Sequence, residues 1–424
     1  MMDPNLTSLA GEVKEHLLSG IIPFWKNLKD EARGGFYGYV SFDLETDPEA
    51  EKGCILNSRI LWFFSNVLLL YRKGLLTEED FAAHGYSAKE IEDCARHAYA
   101  FLKDHCLDRE HGGVYWSMKA DGTPLDTTKH TYNQAFAIYA LSSYCNATGD
   151  ASTYEIAREL YHVIEDKCTD REGYLEAQTV DFRPQSNEKL SENGIVADRT
   201  MNTLLHVFEA YSEALRVAQA AGLMGVSELK ESLKRICRIQ SERIYDPEKG
   251  RQEVFFDRAY HSMLDLYSYG HDIETAWLMD RGMEILGDGS LSEKMGQITR
   301  TLTEKVYETA FDGHSLANEC DRGVVDETRI WWVQAETVVG FVNGYQKAKA
   351  AGDAEEAEKY LTAARNEWAY IREYVIDPRE GSEWFWKVDP SGKPGPDRPM
   401  ADPWKCPYHN GRMCMEVIRR AAEG

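Results

Sequence analysis

Three histidines in apolar, aromatic-rich segments are the residues of this sequence best suited to chemistry. His206 follows Asn202 by four residues in RTMNTLLHVFEAY, a spacing that places both side chains on one face of a helix. His271 precedes Glu274 by three residues in YGHDIETAW, and His409 lies in WKCPYHNGRM. Because an imidazole changes charge near neutral pH, it can give or take a proton in a reaction. The three segments therefore predict a site for proton transfer.

Other polar and aromatic side chains lie in segments that otherwise read as helix core. Arg59 interrupts the apolar run ILNSRILWFF, and a buried arginine is costly unless it is paired or used. Tyr132 in KHTYNQAF, Trp332 in IWWVQAE and Trp404 in DPWKCPYHN offer a hydroxyl and flat ring faces. Each also has a plain structural interpretation: a snorkelling or capping arginine, or ordinary core aromatics. Together with the histidines they favour a site that stacks and binds sugar rings.

Several common cofactor and hydrolase motifs are missing from the sequence. It has no His-Glu-x-x-His and no closely spaced His/Cys cluster, which argues against a zinc site. It has no Gly-x-Gly-x-x-Gly and no Gly-x-x-x-x-Gly-Lys-Ser/Thr, the usual signs of nucleotide binding. Gly-x-Ser-x-Gly, the nucleophile turn of many hydrolases, is also missing. The sequence therefore shows no recognisable metal, nucleotide or serine-hydrolase motif.

A repeat explains how residues so far apart in the chain could meet. Acidic turns recur every 60 to 78 residues and end at Gly35, Gly113, Gly173, Gly250, Gly313 and Gly381. Most are followed by a β-prone segment, and helical periodicity fills the rest. Six repeats of two helices predict an all-α fold, an (α/α)6 barrel of six helical hairpins with short β-hairpins or loops at one mouth. No linker divides the chain, so we expect one catalytic domain over residues 1–424, with the second helix of each repeat inside.

Composition limits the partners and the compartment. The chain has 424 residues, and its 48 Lys and Arg against 71 Asp and Glu give a net charge of −23. Such a surface repels nucleic acids and anionic membranes. Nine cysteines without a Cys-x-x-Cys pair fit reduced thiols. We see no signal peptide, and the longest apolar stretch, 60–71, is too short to span a bilayer. These features predict a soluble cytoplasmic protein without nucleic-acid or membrane partners.

Seven motifs in the same order are similar to those of the cellobiose 2-epimerases, a family of the N-acylglucosamine 2-epimerase superfamily. They are KGCILNSRILWFF, KHTYNQAF, LSENG…RTMNTLLHV, SYGHDIETAWL, IWWVQAETVVGF, SEWFWKV and WKCPYHNGRMCMEVI. The similarity runs from about Ile22 to the C-terminus. It implies an (α/α)6 barrel that reversibly epimerises C2 of the reducing-end glucose in β-1,4-linked disaccharides such as cellobiose and lactose. It also implies that the enzyme needs no cofactor and is a monomer.

The resemblance further implies roles for nine residues. It makes His271 and His409 the acid/base pair and His206 a third essential imidazole. The residues that it places around the sugar are Arg59, Tyr132, Asn202, Glu274, Trp332 and Trp404. These residue types suit the chemistry, because a sugar must open before its C2 hydrogen becomes acidic, and the resulting enediolate needs a cation or hydrogen-bond donors. The sequence leaves open which histidine takes the C2 proton, and whether Glu274 orients His271 or binds substrate.

Three other functions are compatible with parts of this pattern. A monosaccharide-acting N-acylglucosamine 2-epimerase or mannose isomerase would share the barrel and the histidines. An inverting glycoside hydrolase on the same fold would use two carboxyl groups about 6.5–9.5 Å apart, for which Asp272, Glu274 and Glu336 are the candidates. It would leave the histidines unexplained. A sugar-binding scaffold without catalysis would leave any activity unchanged when His409 is replaced.

Overall fold

A computed structural model describes residues 3–191 and 193–423 of the chain. The helices in these residues are α1 Thr7–His16, α2 Ile22–Asn27, α3 Cys54–Arg72, α4 Glu78–Ala83, α5 Ala88–Phe101, α6 Thr131–Thr148, α7 Ala151–Lys167, α8 Met201–Ala221, α9 Val226–Ile239, α10 Tyr269–Leu286, α11 Gly289–Ala310, α12 Trp331–Ala351, α13 Ala354–Tyr370 and α14 His409–Glu423. One wide π turn follows α1, α5, α9 and α13, at Leu17–Ile21, Leu102–Cys106, Gln240–Ile244 and Ile371–Val375.

The helices form two concentric rings. The inner ring runs α3, α6, α8, α10, α12 and α14, each packed on the next, and α14 returns to α3. Burial separates the rings clearly: 16 of the 18 residues of α6 are buried, against 6 of the 17 residues of the outer helix α7. The ends of the chain meet where α1 packs on α14 and the Asp3 amide donates to the Ala421 carbonyl at 2.8 Å. The predicted (α/α)6 barrel, with the second helix of each repeat inside, is confirmed.

Short strands lead into the inner helices. The strands are β1 Lys52–Gly53, β2 Ser117–Met118, β3 Pro124–Asp126, β4 Lys129–His130, β5 Ala177–Gln178, β6 Arg199–Thr200, β7 Tyr245–Asp246, β8 Arg251–Gln252, β9 Phe255–Phe256, β10 Leu266–Ser268, β11 Glu319–Asp321, β12 Val324–Asp326, β13 Arg329–Ile330 and β14 Lys387–Val388. Strands β1, β4, β6, β10 and β13 each end at the residue before an inner helix. Each pairs antiparallel with a strand of the following repeat, β2, β5, β9, β11 and β14 in turn. This pairing brings the N-terminal ends of the inner helices to one mouth of the barrel.

The acidic turns fix the geometry between an outer helix and the next inner helix. All six glycines that define the sequence repeat have positive φ. At Gly113, with φ of 77°, a Cβ atom would lie 2.8 Å from Oε1 of Gln134, so a side chain would collide there. The same Oε1 accepts the Val114 amide at 2.7 Å. Asp108 of this turn also binds Lys129, which lies just before α6, at 2.7 Å.

Gly–Asp dipeptides join inner to outer helices at 149–150, 287–288 and 352–353. In each dipeptide the glycine ends the inner helix in the left-handed conformation, which suits glycine. The aspartate side chain then accepts a backbone N–H in the first turn of the outer helix. These local signals explain why helical segments end and restart where they do.

Helix α3 is, by length and composition, apolar enough to cross a membrane. It is an inner-ring helix, and 83% of the residues in its apolar window are buried inside the protein. The polar residues Ser65 and Asn66 lie within this helix. Their side chains donate to the carbonyls of Leu61 and Trp62 one turn earlier, at 2.6 and 2.9 Å, so both fit within a buried helix.

Candidate active site

A cavity of about 520 Å³ lies at the mouth where the inner helices begin. Every residue that the sequence analysis assigned to the site lines it, and all six inner helices or the loops before them contribute. These residues are Arg59, Tyr132, Asn202, His206, His271, Glu274, Trp332, Trp404 and His409. A closed ring of helices thus brings side chains from distant parts of the chain to one concave surface.

Arg59 is a buried cation without a carboxylate partner among the described residues. It is 2% exposed, and its Nη2 donates to the Tyr132 hydroxyl at 2.7 Å. Its guanidinium lies 4.2 Å from the centre of the Phe136 ring and 4.7 Å from that of Tyr408. Burial raises the pKa of Tyr132 above its usual range, so this phenol stays protonated and can donate. The unpaired positive charge suits an anion that forms in the cavity.

His206 is held by a carboxylate that the sequence analysis missed. Its Nδ1 lies 2.9 Å from Oε2 of Glu209, one turn along α8. Burial alone would raise the pKa of Glu209, but Arg412 and His206 lower it to about 2. An ionised Glu209 accepts the proton on Nδ1, which leaves Nε2 as the second ring nitrogen of His206.

His409 is held in the same way. Its Nδ1 lies 2.7 Å from Oε1 of Glu336, whose Oε2 accepts the Trp277 indole N–H at 2.9 Å. Burial, together with Arg412, lowers the pKa of His409 well below its usual range. The imidazole is therefore neutral near pH 7. With the proton on Nδ1 donated to Glu336, its Nε2 carries a lone pair that can accept a proton.

His271 has a different partner. Its Nδ1 lies 2.7 Å from the hydroxyl of Ser268, and burial and the nearby His206 lower its pKa to about 3. Its ring centre lies 4.7 Å from that of Trp332, and the His409 ring centre lies 5.5 Å from the same indole. The ring centres of the two imidazoles can be no farther apart than the sum of these two distances. They therefore border the same part of the cavity.

Glu274 binds Arg412 rather than His271. Its Oε1 accepts from Nη2 of Arg412, while its Oε2 is buried and has no hydrogen-bond partner among the described residues. Burial and the neighbouring Glu336 raise the pKa of Glu274 to about 7. The hypothesis that Glu274 orients His271 is not supported by these contacts. The side chain is instead poised to hold or release a proton near neutral pH.

The remaining predicted residues provide an amide and flat rings. The Oδ1 of Asn202 is buried without a partner among the described residues. Trp332 and Trp404 are partly exposed at the cavity. The Trp404 ring centre lies 6.1 Å from that of Tyr132, and its carbonyl accepts from Arg59 at 3.3 Å. These groups can bind hydroxyls and cover the apolar faces of sugar rings.

Sequence reasoning did not identify the network beneath the histidines. Glu209, Ser268 and Tyr408 were not singled out, and Arg412 was seen only as part of the C-terminal motif. Spacing could have suggested one of them, since Glu209 lies three residues after His206. The contacts of Arg412 with Glu209 and Glu336 join residues 203 and 76 positions apart. No local pattern reports such contacts.

One trio of side chains has the composition of a metal site. Glu274, Glu336 and His409 place one ligand-type atom each within 4.8 Å of one another. However, Oε1 of each glutamate binds Nη2 of Arg412, and Nδ1 of His409 binds Glu336. The guanidinium therefore stands where a cation would be needed. The close approach of Glu274 and Glu336 also argues against this pair as the two carboxyl groups of an inverting hydrolase, which stand about 6.5–9.5 Å apart.

Comparison with known proteins agrees with this geometry. The profile of the N-acylglucosamine 2-epimerase (GlcNAc 2-epimerase) family matches residues 35–411. The chain is 46% identical over 421 residues to cellobiose 2-epimerase of Eubacterium cellulosolvens, covering 97% of this chain and 98% of that protein. It is 44% identical over 415 residues to cellobiose 2-epimerase of Ruminococcus albus strain ATCC 27210, covering 98% of this chain and 100% of that protein.

A solved structure extends the similarity to the fold. The cellobiose 2-epimerase of Bacillus thermoamylovorans B4167 has a TM-score of 0.88 and 38% identity, covering 98% of this chain and 100% of that chain. The resemblance seen in the seven motifs is thereby confirmed. The chain belongs to the N-acylglucosamine 2-epimerase family and is a carbohydrate epimerase.

Proposed function

We propose that this enzyme reversibly epimerises C2 of the reducing-end glucose in β-1,4-linked disaccharides such as cellobiose and lactose, giving a mannose unit. The names of relatives that match nearly the whole chain support this substrate class. One observation carries the mechanism: His271 and His409, both neutral, border the same indole of Trp332 within the cavity. Two such imidazoles can act on opposite faces of one carbon atom.

Ring opening comes first. The bond between C1 and the ring oxygen breaks as protonated Glu274, whose pKa is raised to about 7, gives its proton to that oxygen. His271 takes the proton of the anomeric hydroxyl and becomes an imidazolium. The open aldehyde now makes the C2 hydrogen acidic, and the developing charges of Glu274 and His271 balance each other.

Epimerisation follows by two proton transfers. His409 accepts the C2 proton on Nε2, and the electron pair of the C–H bond forms an enediolate. Glu336 stabilises the resulting imidazolium through Nδ1. The imidazolium of His271 then protonates C2 from the opposite face. Ring closure returns the sugar hydroxyl proton to Glu274 and passes the proton of His409 to the anomeric oxygen, so every group ends as it began.

Arg59 and Tyr132 stabilise the enediolate. Their shared hydrogen bond of 2.7 Å presents a guanidinium and a phenol next to each other, and donors fixed in place before charge develops favour the transition state. Asn202 and His206 bind the hydroxyls near C1 and C2, and Trp332 and Trp404 stack on the sugar rings. We propose that these side chains suffice without a metal or an organic cofactor.

Further expectations concern assembly and location. One chain supplies all six inner helices that surround the cavity, so we propose that a monomer is active. The cysteines are free, and eight of the nine are buried. Free thiols persist in reducing compartments, which supports a cytoplasmic location.

Incubation with cellobiose in deuterated water tests the proposed function. We expect a glucosyl-mannose product with one deuterium at C2 and an intact glycosidic bond. Release of free glucose would instead indicate hydrolysis. A product without deuterium would contradict proton exchange through an enediolate.

Substrate class is tested by comparing cellobiose, mannose and N-acetylglucosamine under the same conditions. We expect turnover of cellobiose to be preferred, because the cavity extends beyond the histidines to Trp386 and Arg398 and can hold a second ring. Turnover of only a monosaccharide would overturn the substrate claim while leaving the epimerase chemistry in place.

A further inference from the structure

Arg412 lies directly beneath the catalytic cavity and is 1% exposed. Its Nη1 donates to Glu209 at 2.6 Å and also contacts the Tyr408 hydroxyl. Its Nη2 donates to Glu336 at 2.6 Å and also to Glu274. One guanidinium therefore binds three buried carboxylates from three different inner helices.

Each of these carboxylates either binds a histidine of the proposed reaction or takes part in the reaction itself. Glu209 binds Nδ1 of His206 and Glu336 binds Nδ1 of His409. The third carboxylate, Glu274, is the proposed ring-opening acid. A planar guanidinium presents donors in a fixed fork, so it can fix the positions of several acceptors at once.

Arg412 does not itself border the substrate cavity. It lines a second cavity of about 260 Å³, formed near the C-terminal ends of the inner helices together with Arg216, Arg281 and Tyr139. The guanidinium thus forms part of the wall between the two cavities. Its hydrogen bonds reach the proposed reacting groups through the glutamates, and its charge also lowers the pKa of His409.

We propose that Arg412 is a positioning residue, which fixes the ring nitrogens of His206 and His409 and the carboxyl of Glu274 for proton transfer. This inference rests on the proposed function. Without the guanidinium, the three carboxylates would be left buried without a compensating charge and would take up protons. A protonated Glu336 would donate to Nδ1 of His409, and Nε2 would then carry a hydrogen instead of a lone pair.

Arg412→Lys keeps the charge but removes the fork, and Arg216→Lys is a matched control. Arg216 lines the same second cavity but pairs with Glu213 at 2.6 Å and touches none of the three glutamates. We expect kcat on cellobiose to fall about 100-fold to 1000-fold in Arg412→Lys, as general acid–base catalysis is lost. KM should stay within a few fold, and the control should keep its activity.

The pH profile separates positioning from general loss of structure. One ammonium cannot bind all three carboxylates, so those that it leaves unpaired are less ionised, and the acid limb of kcat/KM for Arg412→Lys should move to higher pH. A uniform loss at every pH, or wild-type kcat, would overturn the inference. Circular dichroism of both variants checks that they are folded.

Nitrogen-15 NMR of labelled histidine side chains tests the inference without any substrate. In the wild type, Nδ1 of His206 and of His409 should carry the hydrogen that binds Glu209 and Glu336. Arg412→Lys should disturb both tautomers, whereas Glu336→Gln should disturb only His409. Unchanged tautomers in Arg412→Lys would refute the positioning role even if cellobiose were not the substrate. Changed tautomers in an enzyme that does not epimerise cellobiose would refute the proposed function alone.

Discussion

The histidines of the catalytic cavity are held by two different kinds of partner. His206 and His409 each donate from Nδ1 to a glutamate that Arg412 also binds. His271 instead has its Nδ1 at the hydroxyl of Ser268 and its ring beside Trp332. A carboxylate stabilises an imidazolium far more than a hydroxyl does.

We infer different roles for His409 and His271 from this difference. We propose that Glu336 stabilises the imidazolium of His409 and so suits this residue to removal of a proton from carbon. The hydroxyl-backed His271 binds an added proton weakly and so suits its rapid return to carbon.

Replacing a whole imidazole should have the largest effect. His409→Asn removes the proposed carbon base, and epimerisation of cellobiose should fall about 10³-fold to 10⁴-fold. Product formation, measured by chromatography, is the readout. Activity within tenfold of the wild type would show that His409 is not the base.

Removing the negative charge that binds His409 should have the next largest effect. Glu336→Gln keeps the shape but replaces the charge that stabilises the imidazolium, and we expect kcat to fall about 100-fold. Trp277 and Arg412 still surround the new amide, so the fold should persist. Steady-state kinetics measure kcat, and a melting curve measures stability. A kcat close to that of the wild type would show that the Glu336 carboxylate contributes no more than a hydroxyl partner.

The pH dependence should follow Glu274 rather than the catalytic histidines. The pKa of Glu274 is raised to about 7, and the protonated form is needed, so kcat/KM should decrease as pH rises through this value. The low pKa of His271, about 3, means that it stays neutral from pH 5 upward. A profile of kcat/KM that stays flat to pH 9, or a Glu274→Gln variant with an unchanged profile, would contradict this assignment.

The smallest effect should come from the Ser268 hydroxyl that contacts His271. Ser268→Ala removes one neutral hydrogen bond, which is worth about 0.5–1.5 kcal/mol, so we expect kcat to fall by less than about tenfold. The relevant measurement is the ratio of the kcat losses in Glu336→Gln and Ser268→Ala. If Ser268→Ala lost more activity than Glu336→Gln, the hydroxyl of Ser268 would contribute more to catalysis than the carboxylate of Glu336.

The sequence predicted the fold better than it predicted the site's supporting contacts. The barrel could be anticipated because each repeat carries an acidic turn ending in a positive-φ glycine, as at Gly113, and three inner helices end at a Gly–Asp junction such as 149–150. The cavity residues could be anticipated because polar groups recur near the starts of inner helices. The bond of Arg412 to Glu209 could not, since it depends on which helices become neighbours when the ring closes.

Single-histidine variants show whether the two imidazoles act on opposite faces of C2. Cellobiose and its mannose-ended epimer would each be incubated in deuterated water with His271→Asn and with His409→Asn, and deuterium at C2 would be followed by NMR. We predict that each variant slowly exchanges the C2 hydrogen of one epimer only, and that the two variants select opposite epimers. Exchange of the same epimer by both variants would contradict the two-sided mechanism.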